Sequence, residues 1–165
     1  MISFDSWSSI LTLVTALGCG TIAGVFFAFS TFVMKALARL PADDGIAAMQ
    51  SINVAVLGSW FLAAFLGTAV ACLLVVVAAI IQWSDPAAIF RLLGAAAYLV
   101  GCFLVTMVCN VPMNEALASL SPTAPDRAAR WASYLAGWTS WNHLRTLASL
   151  AASALLILGL GQTTG

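Results

Sequence analysis

The chain has 165 residues, of which 62% are hydrophobic and 7% charged, with equal numbers of basic and acidic side chains and a formal net charge of zero. Soluble domains carry roughly a quarter charged residues, so this composition, at a mean hydropathy of +1.04, excludes a water-soluble globular fold and places the chain in a lipid bilayer. The neutral balance argues against nucleic acid or a strongly acidic partner, and the length allows a single transmembrane domain over residues 1–165.

A helix crosses a bilayer with about 20 apolar residues, because each backbone polar group must be satisfied within its own segment. Four stretches meet this requirement: about 10–34, 54–81, 92–109 and 143–161. The first opens at Asp5 without a basic region, and no small-residue cleavage pattern follows, so it is expected to remain in the mature protein. Its GTIAG (20–24) followed by Ala28 sets a small residue at every fourth position and predicts close helix contact there. The span exits through KALARLP (35–41) into a short amphipathic helix, GIAAMQSIN (45–53), ahead of the second span.

In the third span, Gly94 and Gly101 predict a second close approach between helices. At its end, NVPMNEAL carries Asn110 and Asn114 four residues apart, on one helix face, with Pro112 between them removing a backbone donor. EALASLS (115–121) repeats the A-L-A-x-L frame of KALARLP, displaced by 80 residues. A second amphipathic helix, PDRAARWASYLAGW (125–138), then leads to WTSWNHLRT (138–146) and the last span, where Asn142, Thr146, Ser149 and Ser153 form one stripe of small polar groups. For the two serines, helix packing and bonds back to the preceding turn account for the pattern. The expected fold is all-α: an integral membrane four-helix bundle with short amphipathic helices on the cytoplasmic side.

Lys35 and Arg39 lie in the first link and Arg127 and Arg130 in the third, with Arg145 at its membrane edge, against Arg91 alone on the opposite side. The positive-inside rule then predicts an inner or plasma membrane protein with both long links in the cytoplasm and both termini extracytoplasmic. Cys19, Cys72, Cys102 and Cys109 all fall inside spans and read as small apolar packing groups; Cys102 and Cys109, about 10 Å apart along one helix, cannot pair.

The polar residues cluster at one end. Asn53 precedes span two, Asn110 and Asn114 end span three, and Asn142, His143 and Arg145 begin span four. Trp138, Trp141, Asn142 and Arg145 occupy i, i+3, i+4 and i+7, so two indoles, an amide and a guanidinium share a helix face, while His143 points about 100° away from Asn142. Each alone has a plainer role: interfacial belt for the tryptophans, snorkelling for Arg145, capping or helix glue for the asparagines. Together they predict a cavity, because ionisable groups at membrane depth are costly and face an interior.

Four segments resemble a family of small four-span membrane proteins whose best-known members are anthrone oxygenases of fungal polyketide pathways: FFAFSTFVMKAL (26–37), GIAAMQSIN (45–53), GAAAYLVGCFLVTMVCNVPMNEAL (94–117) and WTSWNHLRTLAS (138–149). The resemblance implies a membrane helical bundle, in some members oxidising an anthrone to an anthraquinone with molecular oxygen and without an identified metal. On this reading His143 is the base that removes the acidic methylene proton, Arg145 and Asn142 hold the developing oxyanion, and Asn53, Asn110, Asn114, Trp138 and Trp141 line the substrate site. No redox cofactor is required. The expected partners are the bilayer and a flat hydrophobic aromatic or quinone-like ligand, with homo-oligomerisation permitted. The alternatives are a non-catalytic membrane protein binding a lipid or quinone and a small-solute transporter. A transporter calls for unwound mid-span segments with paired ionisable groups, which spans one and two lack.

Overall fold

The structure is a computed structural model and describes residues 4–162. It contains four helices long and apolar enough to cross a membrane: α1 (Ser6–Leu37), α3 (Trp60–Ile81), α4 (Ala88–Ala118) and α5 (Arg127–Gln162). A shorter helix, α2 (Ala42–Leu57), lies between the first two. No strand occurs among the described residues, so the all-α membrane bundle read from the sequence is the observed fold.

Boundaries differ from the hydropathy reading in an informative way. At about 1.5 Å per residue, the 36 residues of α5 extend for about 54 Å, well beyond the ~30 Å hydrocarbon core. The expected amphipathic helix before span four is thus not separate; it is the first third of α5. On the other side, Val54–Leu57 finish α2, because Gly58 and Ser59 leave helical geometry before Trp60 restarts the chain as span two.

Two cores result. The membrane core packs Ile22, Phe26, Phe65, Val75, Tyr98 and Leu156 with small residues between them. Outside it, the overhanging ends of α1, α4 and α5 join α2 in a head whose own core is Met34, Leu37, Ile46, Met49, Leu117, Trp131, Tyr134 and Trp138. At the head surface Arg127 pairs with Asp43 at 2.6 Å. Arg130 pairs with Asp126, whose carboxyl is held below its usual pKa chiefly by that hydrogen bond; so exposed a pair contributes little to stability.

Glycines set the closest helix approaches. A Cβ at Gly101 would stand 2.5 Å from Ala148 Cβ, and one at Gly94 would stand 2.9 Å from Leu156 and 3.1 Å from the Ala152 carbonyl. The sequence expectation for these two therefore holds. It holds only in part for GTIAG: a Cβ at Gly20 would stand 3.4 Å from Ser153 Oγ of α5, but Gly24 is exposed with nothing near it, and the tightest glycine of α1 is Gly18, against Thr68.

At the terminal end Arg91 is buried and bonds Asp85 and Gln82, and Ser8 of α1 donates to the same Gln82 oxygen. Gly159 of α5 lies against Arg91, so this cluster ties the ends of all four spans. Cys19, Cys72, Cys102 and Cys109 are free thiols.

Candidate functional site

Exposed tryptophans mark the membrane edges. Trp60 and Trp141 stand at the head end, Trp7 and Trp83 at the terminal end, as expected of indoles at headgroup level. Arg145 lies one helical turn inward from Trp141 and is only 3% exposed. It is a cation inside the bundle, at the seam between the two apolar cores.

Its neighbours come from three spans. Arg145 Nη1 donates to Thr106 Oγ1 at 3.2 Å and Nη2 to Asn142 Oδ1 at 2.8 Å. The guanidinium carbon sits 4.1 Å from the centre of the Phe26 ring and 5.0 Å from that of Trp138, which gives cation–π stabilisation in a desolvated setting. Its Nε has no partner. Among the described residues the ion pairs involve Arg91, Arg127 and Arg130, and none involves Arg145.

Asn142, fully buried, fixes that geometry. Its Nδ2 donates to the Phe26 carbonyl and to Ser30 Oγ, both at 2.7 Å, and Ser30 meets Thr146 Oγ1 at 3.2 Å. Thr146 bonds back to the Asn142 carbonyl at 2.8 Å.

Widened π-helical turns supply these partners. Ser30 lies in one, Phe29–Val33, and Thr106 and Asn110 in another, Thr106–Asn110; a third, Leu99–Leu104, precedes it on α4. Such a turn shifts the carbonyl pairing from i+4 to i+5 and leaves backbone acceptors near the junction open to outside donors. Asn142 donates to the Phe26 carbonyl in the turn just before the first of them. In α4 the widened turn ends at Asn110, two residues before Pro112, which has no N–H to give to the ladder.

A second layer lies above. Asn110, also buried, donates to the Trp138 carbonyl at 3.3 Å and leaves its Oδ1 unpaired. Asn114 Oδ1 accepts from Tyr134 Oη at 2.8 Å and from Trp138 Nε1 at 2.9 Å. Asn53 borders Tyr134, its Nδ2 unpaired. Trp131, Tyr134 and Trp138 stack in a row along α5, with centroids 5.6 and 6.4 Å apart.

The structure thus brings together Asn110, Asn114, Trp138, Asn142 and Arg145, with Asn53 at the head edge. It does not bring His143 or Trp141 to them. Both are exposed on the outer surface of α5, because His143 is two residues from Arg145 and so about 200° around the helix. The expected cavity is also closed at Arg145. An open groove of about 380 Å³ lies instead on the head and is lined by Met113, Leu117, Arg130 and Tyr134 among others; Tyr134 stacks on Trp138. Residues that sequence reasoning missed are Phe26, Ser30, Thr106 and Tyr134. The first two stand in the quoted FFAFSTFVMKAL, where a serine amid phenylalanines was the available signal.

A bundle of four apolar spans built round an uncompensated interior arginine defines an integral membrane protein with a buried polar site. The family model described as anthrone oxygenase matches residues 58–155, and the chain belongs to that family. No curated protein and no solved structure matches it.

Proposed function

We propose that this protein is a membrane oxygenase that takes a flat phenolic, anthrone-type substrate from the bilayer and oxidises it with molecular oxygen. The observation that carries the reading is Arg145: a guanidinium almost wholly removed from water with no carboxylate beside it. A charged side chain at membrane depth costs about 2.5–3.5 kcal/mol on insertion scales, and an anionic ligand oxygen offsets that cost where the protein's own residues do not.

The chemistry follows from the charge. An anthrone loses its methylene proton to water at the headgroup level and becomes an electron-rich anion. Arg145, oriented by Asn142 and Thr106, pairs with the anionic oxygen in a setting where water is scarce and the interaction strong. The anion reacts directly with oxygen, which dissolves readily in hydrocarbon. One oxygen atom enters the methylene carbon, two hydrogens leave it, and the second oxygen atom departs as water. The reading calls for no redox cofactor. With His143 on the outer face, the catalytic role passes from the imidazole to the guanidinium.

Membership of the anthrone oxygenase family supports this assignment, as does the placement of the site about one turn inside the Trp60 and Trp141 belt. The basic residues Lys35, Arg39, Arg127 and Arg130 support an orientation with the head in the cytoplasm. The test is oxygen uptake by the purified protein in nanodiscs with 1,8-dihydroxyanthrone. Uptake of one O2 per anthrone, lost in Arg145→Met, is the expected outcome. A protein that binds the anthrone but takes up no oxygen above empty nanodiscs is a binding protein and not an oxygenase.

A further inference from the structure

Arg145 is enclosed, so a ligand must displace something to reach it, and the sides of the site are not equally held. Toward α1 the site is closed by the bonds of Asn142 to Phe26 and Ser30. Above it lies the packed head core, and below it α4 and α5 touch at Gly101 and Ala148. The remaining side faces the contact between the start of α3 and the widened turns of α4. There Tyr98 donates to the Phe65 carbonyl at 3.0 Å. Above that bond, toward Trp60, the two helices meet through the rings of Phe65 and Phe103, stacked at 5.6 Å, and Phe61 stacks on Phe65 one turn along α3 at 6.3 Å.

Phe61 and Phe103 are only half-buried and sit on the inner side of the tryptophan belt. From each, a short file of rings leads to the cation. Phe61 packs edge-on against Phe26 at 5.9 Å, and Phe103 reaches Phe26 through Phe65, which lies 6.4 Å from it. Phe26 carries the guanidinium on its face. Ring contacts of this kind have no directional bond to break and are worth about 0.5–1.5 kcal/mol each beyond area burial. A flat polycycle can replace them with equivalent stacking.

We infer that Phe61, Phe65 and Phe103 form the ring subsite and lipid-side entrance for a polycyclic aromatic substrate, whose oxygen then reaches Arg145. This rests on the reading of Arg145 as an anion site and adds to it the direction of entry and the residues that select for fused rings. The tryptophans of α5 take a different part: Trp138 backs the guanidinium, and Trp141 anchors the helix at the membrane edge.

The experiment measures equilibrium binding of 1,8-dihydroxyanthrone to the protein in nanodiscs under argon, followed by the ligand's own absorbance, beside a one-ring probe, 4-nitrophenolate. Phe61→Leu and Phe103→Leu keep apolar volume and remove a ring face, so each protein is expected to fold with the parent's melting temperature within a few degrees. Each should weaken anthrone binding by about 2- to 12-fold and leave 4-nitrophenolate binding within about twofold, since a single ring at Arg145 does not extend to the entrance. Phe32→Leu, on a lipid-facing ring outside the cluster, should bind both probes as the parent does. If both entrance variants bind anthrone like the parent while Arg145→Met loses both probes, the ring subsite is overturned and the anion site stands. If Arg145→Met binds both probes like the parent, or the parent binds neither, the anion site falls and the entrance falls with it.

Discussion

Arg145 holds its guanidinium carbon 4.1 Å from the centre of the Phe26 ring, across the boundary between the first and last membrane spans. The same Phe26 gives its backbone carbonyl to Asn142 at 2.7 Å, the residue that accepts from Arg145. One residue of α1 therefore serves both the charge and its orienting amide. Burying a cation this way is costly for a fold that needs only packing, and that cost points to function.

The first prediction separates stability from activity at Arg145. Replacing a buried charge by an apolar side chain of similar reach is often neutral or stabilising, whereas Asn142 Oδ1 and Thr106 lose a donor. Arg145→Met should thus unfold within about 1 kcal/mol of the parent in a chemical denaturation series. A loss beyond about 3 kcal/mol, the range for breaking a buried pair, would assign Arg145 to structure.

Asn142 should behave in the opposite manner. Its side chain makes three buried hydrogen bonds, to Phe26, Ser30 and Arg145, and removing it takes a donor from the Phe26 carbonyl and the acceptor from Arg145 Nη2. Asn142→Ala should cost about 2–4 kcal/mol, read as a fall in the thermal midpoint in detergent. A midpoint equal to the parent's would show that the polar layer does not hold α1 to α5.

His143 provides a negative control with a mechanistic edge. It is exposed, on the face of α5 opposite Arg145, so His143→Gln should leave anthrone turnover within about threefold, against the roughly 10²-fold loss typical of a missing general base. A loss of that larger size would return the imidazole to the reaction and require substrate to contact the outer face of the helix.

Two glycines test how α5 is seated. Gly101→Val places side-chain atoms where Ala148 Cβ already is, and should destabilise by about 1–3 kcal/mol through overpacking; Gly24→Val, in open space, should be close to neutral. Equal melting temperatures for the two variants would contradict the packing described.

Much of the architecture was legible because hydropathy over 18 or more residues reports directly on lipid burial. The extent of α5 was not, since residues 127–142 are amphipathic and their pattern reads equally as a separate surface helix; only contact with α2 and α4 makes them one rod. Asn142, Arg145, Asn110 and Asn114 were found by their shared end of the bundle and by helical spacing. His143 was grouped with them by its place at the same end of the bundle and by the base that anthrone chemistry calls for, although its 100° offset from Asn142 turns it outward. Ser30 and Thr106 escaped because their positions depend on π-helical turns, where the register slips by one residue and the 3.6-residue wheel no longer says which side faces in. The phenylalanines near Arg145 look identical in sequence to those that face lipid.

The central claim, that Arg145 pairs with the oxygen of an anionic ligand, is tested most directly by titrating bound 1,8-dihydroxyanthrone spectrophotometrically under argon, in nanodiscs holding the parent or Arg145→Met. A neighbouring cation favours the anion, so the parent should lower the bound anthrone's apparent pKa by at least about one unit relative to empty nanodiscs, and Arg145→Met should abolish the shift. Titration curves that coincide for parent, variant and empty nanodiscs would contradict the account.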